Sequence, residues 1–160
     1  MSGGSRGIGL AIALRAARDG ANIALLAKTA VPHPRLQGTI YSAAEEIEAA
    51  GGHALPIVCD VRDDAVVTDA VKRTVECFGG IDIVVNNASA IDVSPSTTIA
   101  MKRYDLMQDV NVRGTFLLSR TAVPHLRDAE NPHVLTLSPP LSLDSKWYGG
   151  HLATPLRSSG

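Results

Sequence analysis

The chain has 160 residues, and its 15 basic and 16 acidic side chains give a formal net charge of −1. This balance provides no electrostatic field for nucleic acid or an anionic membrane surface, and an aromatic content of 4% offers few platforms for stacking bases. A hydrophobic content of 45% is typical of one globular domain. Because no apolar run has the length of a bilayer span and no secretory signal pattern opens the chain, we expect a cytoplasmic protein.

The first nine residues contain three glycines, Gly3, Gly7 and Gly9, directly before a helical pattern. The pattern places Ile8, Ile12 and Ala16 on one helix face, which we expect to be the core face. Glycines allow a backbone to approach a pyrophosphate, and the next helix directs its N-terminal N–H groups at the anion. An ordinary loop before a helix is the alternative, and the glycines alone do not decide between the two.

Short apolar runs and helical patterns then alternate, which predicts right-handed crossovers and a parallel sheet. Pro56 suggests an edge strand or an early strand position. The long fourth helical pattern is interrupted around Gly114. A dinucleotide-binding fold starts with a strand that leads into the glycine loop, and that strand is missing here. Predicted strands span 22–27, 54–59, 81–85 and 132–137, and predicted helices after the first span 39–50, 63–78 and 101–123.

Polar residues follow two of the predicted strands. Asp60 and Val61 come after the second strand, where a carboxylate can accept hydrogen bonds from an adenine amino group. The alternative for Asp60 is a turn or a helix N-cap. Asn86, Asn87 and Ala88 come after the third strand, and amide side chains there can tie neighbouring strands together and flank a cofactor; a simple turn is the alternative.

Three more polar residues have positions that need a reason. Asn111 lies inside a helical pattern although Asn is a poor helix former, so it could bond to the backbone, kink the helix or hold a water. A solvent-facing Asn is the alternative. Arg6 in the glycine loop and Lys28 after the first predicted strand are two cations that would suit a 2′-phosphate, where NAD enzymes carry an acidic residue. The alternative is two solvated surface charges.

Cysteine and histidine indicate no metal site. Cys59 and Cys77 have neither a Cys-x-x-Cys spacing nor a nearby histidine at ligand spacing, so we expect two reduced core residues. The five histidines are scattered without ligand spacing. Tyr148 has no lysine at helical spacing after it and is therefore not assigned a catalytic role.

In this order, the motifs resemble the classical short-chain dehydrogenase/reductase family over essentially the whole chain. Residues 28–34, 38–48 and 138–140 are similar to one narrower branch that includes bacterial members. The resemblance implies an α/β fold: one NAD(P)-binding Rossmann-type domain over 1–160, doubly wound around a parallel sheet and lacking the first strand and the C-terminal catalytic helix. It also implies a nicotinamide cofactor, which is NADP or, as an alternative, NAD. The implied reaction is hydride exchange between a small-molecule alcohol and a carbonyl, and the implied assembly is a homo-oligomer. The implied cofactor-binding residues are Gly3, Ser5, Arg6, Gly7, Ile8, Lys28, Asp60, Val61, Asn87 and Ala88.

Members of this family use a Tyr as proton carrier, a Lys one helical turn later to lower the pKa of its phenol, a Ser to polarise the reacting oxygen and an Asn in the proton relay. Asn111 matches the Asn, and Ser138 is the candidate for the Ser, although Pro139 replaces the usual second Ser. The Tyr-x-x-x-Lys pair should follow Ala153, but the chain continues with Thr154 and Pro155.

The departure after Ala153 predicts little or no turnover. We hypothesise a reading-frame slip, because deleting one base from a Tyr codon can convert Ala-Tyr-Thr-Leu-Ala-Lys-Phe-Gly-Met into residues 153–160 followed by a stop codon. Two alternatives are a catalytically inactive module that binds nucleotide or pairs with another subunit, and an active enzyme that uses Tyr148 as its base.

Overall fold

Four parallel strands and their connecting helices make up the described part of the chain, which is residues 1–32, 34 and 37–138 of a computed structural model. The alternation of strand and helix predicted from the apolar runs is confirmed. The elements in chain order are α1 (Gly7–Arg18), β1 (Asn22–Ala27), α2 (Ile40–Ala49), β2 (His53–Val58), α3 (Asp64–Phe78), β3 (Ile83–Asn86), α4 (Met101–Met107), a π-helical segment (Gln108–Gly114), α5 (Thr115–Leu126) and β4 (His133–Thr136).

The strands form two separate parallel pairs. β1 pairs with β2 from Asn22↔His53 onward, and β3 pairs with β4 from Ile83↔His133 onward. Among the described residues, the start of the chain joins the pairs by backbone hydrogen bonds: the Ser2 amide donates to Val85 O at 2.9 Å and the Gly3 amide donates to Leu26 O at 2.8 Å. The described sheet therefore lacks a strand at its centre, as the glycine loop at Met1 predicted.

Apolar side chains on both faces of β1 explain the doubly wound architecture. Ile23, Leu25 and Ala27 pack with α1 and α2 on one face, whereas Ala24 and Leu26 pack with α3 and α5 on the other. This is the alternation with period 2 expected of a strand buried on both sides. β1 thus lies between two helical layers, and its carboxyl end lies beside the glycine loop.

Local sequence determines where two of the helices begin. The Thr39 side chain accepts from the Ser42 amide at 3.1 Å and the Ser42 hydroxyl accepts from the Thr39 amide at 2.8 Å, a reciprocal cap for α2. Asp63 caps α3 by accepting from the amides of Ala65 and Val66. Both capping residues stand at the first position of a predicted helix, 39–50 and 63–78.

Two predictions about packing are wrong. α1 buries Gly9, Ala13 and Ala17 rather than the predicted face, and Ile8 is 67% exposed. The reason is that small residues let α1 lie close to the sheet, so the core face is displaced by one residue from the bulky side chains. Cys59 is buried as expected, but Cys77 is exposed, since it lies on the outer face of α3.

Candidate active site

The glycine loop is wound tightly against the loop that follows β3. Gly3 has φ of +68°, and a Cβ on it would lie 2.8 Å from Asn87 Nδ2. A Cβ on Gly9 would lie 2.5 Å from the same nitrogen. Gly7, with φ of +57°, has no atom within 4 Å of a Cβ position, so its side faces open space. The loop is closed toward the protein and open at the start of α1.

The start of α1 is a suitable place for an anion. Its N-cap residue is Arg6, whose side chain makes no capping hydrogen bond, and no acidic residue lies in the first turn. The first N–H groups of a helix and its dipole attract negative charge. The exposed Ile8 lies in this first turn, and the buried Ser5 lies just before it. Gly7 and Ile8, both predicted cofactor contacts, therefore surround an uncapped helix N-terminus.

The Arg6 guanidinium uses only part of its hydrogen-bonding capacity. Its Nη2 donates to Gly38 O at 3.3 Å, whereas its Nε is buried without a hydrogen-bond partner among the described residues. A buried guanidinium nitrogen that bonds to nothing costs free energy, and an anionic ligand oxygen would satisfy it. The glycine loop and Arg6 thus fit a phosphate group.

Asn87 and Ser2 tie the glycine loop to the end of β3. Asn87 Nδ2 donates to Gly3 O at 2.8 Å and to Ser2 O at 3.2 Å. The Ser2 hydroxyl accepts from the amides of Asn87 and Ala88, both at 3.1 Å. Asn86 is buried and its Nδ2 donates to Ser119 at 2.9 Å. These bonds agree with the prediction that amide side chains here tie neighbouring strands together.

Lys28 and Asp60 lie beside the loop but bond to each other. Lys28 Nζ is 3.0 Å from Asp60 Oδ2, and Arg62 Nη2 is 2.6 Å from the same oxygen. The hydrogen bonds from Arg62, and secondly from Lys28, hold the pKa of Asp60 well below its usual range. Lys28 was predicted, together with Arg6, as a cation suited to a 2′-phosphate, and here it shares the Asp60 carboxylate with Arg62. Its side chain remains 60% exposed, so it is accessible to a second anion.

Asn111 lies in the π-helical segment and fixes the nearby loop. Its Oδ1 accepts from the Ala90 amide and its Nδ2 donates to Ala90 O, each at 2.8 Å. Of the alternatives left open by the sequence, backbone bonding is the one observed, although the backbone belongs to another loop. One-turn π segments inside α-helices are frequent at functional sites. Asn111 therefore lies where the loop after β3 meets the long helix.

Val61 and Ser138 complete the set of predicted positions. Val61 is buried against the long helix, because a Cβ on Gly114 would come 2.8 Å from its Cγ2. Ser138 follows β4 and is the last described residue before the chain end. The described residues do not include Pro139, Tyr148 or residues 153–160. The structure therefore does not test the roles considered for those positions.

Two residues that hold the candidate site together were not predicted from the sequence. Ser2 accepts two amides of the loop after β3, and Arg113 donates to Arg62 O at 2.6 Å and pairs with Asp64. A hydroxyl directly before the first glycine was the available signal for Ser2, whereas no local pattern indicates Arg113.

Residues 1–32, 34 and 37–138 hold no cluster of three or more potential metal-ligating His, Cys, Asp or Glu side chains. None of the helices there has the length and hydropathy of a bilayer span.

Comparison with curated proteins finds close relatives over the full chain. Hydroxysteroid dehydrogenase-like protein 2 of Danio rerio is 56% identical over 160 residues, which are 100% of this chain and 39% of the relative. The human protein of the same name is 53% identical, with 38% of its length covered. The narrower resemblance predicted from residues 28–34, 38–48 and 138–140 is thereby confirmed. The chain spans about two fifths of the length of these curated relatives.

Solved structures give the same result. A putative dehydrogenase from Xanthomonas campestris is 58% identical, with a TM-score of 0.87 over 93% of this chain and 55% of that one. More distant neighbours at 28% identity include a metagenomic short-chain oxidoreductase in complex with NADP, with a TM-score of 0.75 over 88% of this chain and 63% of that one. Another is an NADH-dependent reductase complexed with NAD, with a TM-score of 0.73 over 84% and 56%. The short chain dehydrogenase family matches residues 1–145. This chain therefore belongs to the short-chain dehydrogenase family and has an incomplete Rossmann-type fold.

Proposed function

We propose that this chain is the nucleotide-binding part of an NADP-dependent short-chain dehydrogenase and binds the cofactor without turning over substrate. The observation that carries the proposal is the tight Gly3–Asn87 contact beside the uncapped start of α1, where Arg6 Nε has no partner. A dinucleotide pyrophosphate would occupy this position, in contact with the amides of Gly7 and Ile8. When bound, the nicotinamide would supply a hydride donor or acceptor.

The preference for NADP rests on Arg6 and Lys28. Both cations lie beside the carboxyl end of β1, where an acidic residue would favour the ribose hydroxyls of NAD. A 2′-phosphate would accept from the other nitrogens of the Arg6 guanidinium and would give Lys28 Nζ a second partner. Solved relatives bind either NADP or NAD, so the preference has to come from these two side chains.

The remaining predicted contacts complete the proposed cofactor site. Asp60 and Val61 would lie at the adenine, and Asn87 and Ala88 would lie along the dinucleotide. Both carboxylate oxygens of Asp60 already accept hydrogen bonds from Arg62, so an adenine amino group would have to share one of these oxygens. The side chain of Asn87 acts by holding Gly3, because its Nδ2 is already used within the protein.

Calorimetric titration with NADPH and NADH tests the proposal. We expect one site per chain and a dissociation constant at least tenfold lower for NADPH. Lys28→Ala should remove most of this preference, because a charge-assisted hydrogen bond contributes about 1.5–3 kcal/mol, which is roughly tenfold or more in affinity. Arg15→Ala is the matched control, since Arg15 is an exposed cation paired with Asp19 on α1 away from the loop. Equal affinities for NADPH and NADH in the unmodified chain would contradict the NADP assignment.

The absence of turnover follows from the residues after Ala153. The family pattern requires a Tyr and a Lys there to transfer the proton of the reacting oxygen, whereas the chain has Thr154 and Pro155. Losing such a proton carrier costs roughly 10²–10⁴-fold in rate. Asn111 and Ser138 would remain as partners of that missing relay. NADPH oxidation with a panel of small ketones and aldehydes should stay at background, and activity that Tyr148→Phe abolishes would instead support Tyr148 as the base.

A second candidate function, subunit pairing, is favoured by one surface. Val112, Phe116 and Val123 are 53%, 66% and 38% exposed, and they lie along the π-helical segment and α5. Three large apolar side chains along one helix are typical of a contact surface. We propose a cytoplasmic homo-oligomer, with no nucleic-acid or membrane partner. Light scattering should give a mass above that of one chain, and Phe116→Glu should reduce it to the monomer value.

A further inference from the structure

The π-helical segment is bonded to both of the loops that border the proposed cofactor site. Asn111 bonds to Ala90 in the loop after β3, with both distances 2.8 Å, and Arg113 Nη1 donates to Arg62 O in the turn after β2 at 2.6 Å. Residues two apart do not share a helix face, so the segment contacts a different loop on each side. Arg113 thereby holds the turn at which the adenine is proposed to lie.

The turn after β2, residues 60–63, is closed by hydrogen bonds that all end on Asp60. The Asp63 amide donates to Asp60 O at 3.0 Å, and the Arg62 amide donates to Asp60 Oδ1 at 3.1 Å. The Arg62 guanidinium bonds to the same carboxylate, with its Nη2 2.6 Å from Oδ2. The position of the Asp60 carboxylate therefore depends on where Arg62 lies.

Arg113 fixes Arg62 from outside this turn. One nitrogen of its guanidinium donates to the Arg62 carbonyl while another donates to Asp64 in the first turn of α3. A planar guanidinium is preorganised for two such bonds, so it loses little freedom in making the second. Its side chain is 47% exposed, and exposed ion pairs add little stability. We therefore expect the contact to affect the position of the turn more than the stability of the fold.

The residue after Arg113 brings the backbone of the π-helical segment directly against the same turn. A Cβ on Gly114 would lie 2.8 Å from Val61 Cγ2 and 3.1 Å from Val61 Cβ. Val61 is buried, so it has little room to move away. Gly114 and Arg113 thus act on one turn, the first by allowing close approach and the second by bonding to it.

We propose that Arg113 is a positioning residue for adenine recognition: by holding the Arg62 carbonyl, it keeps the Asp60 carboxylate where it can accept from the adenine amino group. This inference rests on the proposed function, in which the adenine lies at Asp60 and Val61. Arg113 does not contact the cofactor, and its effect passes through Arg62. Removing the Arg113 guanidinium should weaken recognition of the adenine amino group and leave recognition of the phosphates unchanged.

Calorimetric titration of the full chain with NADPH and with its hypoxanthine analogue measures this recognition, because a carbonyl oxygen replaces the amino group in the analogue. The unmodified chain should bind NADPH about three- to tenfold more tightly, since the analogue cannot donate to Asp60. In Arg113→Met this difference in affinity should disappear. The preference for NADPH over NADH, which is proposed to depend on Arg6 and Lys28, should stay as in the unmodified chain.

Two further variants separate positioning from general damage to the fold. A lysine can donate to the Arg62 carbonyl, so Arg113→Lys should retain part of the affinity difference between NADPH and the analogue. Arg73 is an equally exposed arginine that pairs with Asp69 on α3, so Arg73→Met should retain all of it. An undiminished difference in Arg113→Met, or an equal loss in Arg73→Met, would overturn the proposal.

Hydrogen exchange of the cofactor-free chain provides a measurement that does not need NADPH. Exchange at the amides of Arg62 and Asp63 should accelerate in Arg113→Met, because both amides are bonded within the turn that Arg113 holds. Unchanged exchange at both amides would overturn the role of Arg113. A failure of the unmodified chain to bind NADPH would refute the proposed function as well, whereas equal binding of NADPH and the analogue by the unmodified chain would refute this inference alone.

Discussion

Replacing Gly9 with alanine is the sharpest perturbation of the proposed cofactor site. The new Cβ would lie 2.5 Å from Asn87 Nδ2 and closer still to the Gly3 carbonyl oxygen. Neither group can yield without breaking the hydrogen bond between them, so the glycine loop must move outward. Overpacking of this kind costs about 1–3 kcal/mol.

The same displacement moves the first amides of α1 away from the position of the pyrophosphate. We therefore expect the dissociation constant for NADPH to rise at least tenfold in Gly9→Ala, measured by calorimetry, and the free energy of unfolding in urea to fall by about 1–3 kcal/mol. Gly80→Ala is the matched control because nothing lies within 4 Å of its Cβ position, and its φ is not positive. Wild-type affinity together with wild-type stability in Gly9→Ala would refute the close-approach argument.

Three further predictions concern single side chains. The Arg62 guanidinium is the main cause of the lowered pKa of Asp60, so the ionised carboxylate stabilises the folded chain above its unfolded pKa of about 3.9, and this stabilisation is lost as the pH falls through the folded pKa. In Asp60→Asn, the urea concentration at the unfolding midpoint should therefore fall less steeply with decreasing pH in the acid range. An unchanged acid dependence would contradict the pairing. A thiol reagent should modify exposed Cys77 in seconds to minutes and buried Cys59 only on unfolding, because burial raises the pKa of Cys59 to about 11; equal rates by mass spectrometry would be inconsistent with the fold. Asn111→Leu should lower the free energy of unfolding by about 1–3 kcal/mol because it removes two hydrogen bonds of about 0.5–1.5 kcal/mol each, and amide exchange at residue 90 should accelerate.

The sequence predicts the order of elements well because the evidence for each is local. The apolar runs at β1 and β3 and the caps at Thr39 and Asp63 are readable within a few residues, and the structure contains each of them. The α1 core face was not predictable from hydrophobicity, because packing distance rather than side-chain size selects Ala13 and its neighbours. The predicted helix and strand boundaries differ from the observed ones by up to three residues, because the residues that end an element depend on its bonding partners elsewhere in the chain.

The candidate site is less predictable because its bonds join distant segments. The glycine pattern and Asn87 indicate a loop and a strand end, but only the fold brings Asn87 onto Gly3. Lys28 was expected to be available for phosphate, whereas its pairing with Asp60 depends on β1 and β2 lying side by side in parallel. Similarly, the two bonds from Asn111 to Ala90 require a helix to pass a loop 21 residues earlier in the chain.

Hydrogen exchange of the chain with and without NADPH tests most directly whether the glycine loop binds the dinucleotide phosphate. The account predicts slower amide exchange in residues 3–9 at saturating NADPH, with unchanged exchange on the outer face of α3. Unchanged exchange in residues 3–9 at saturating NADPH would contradict it.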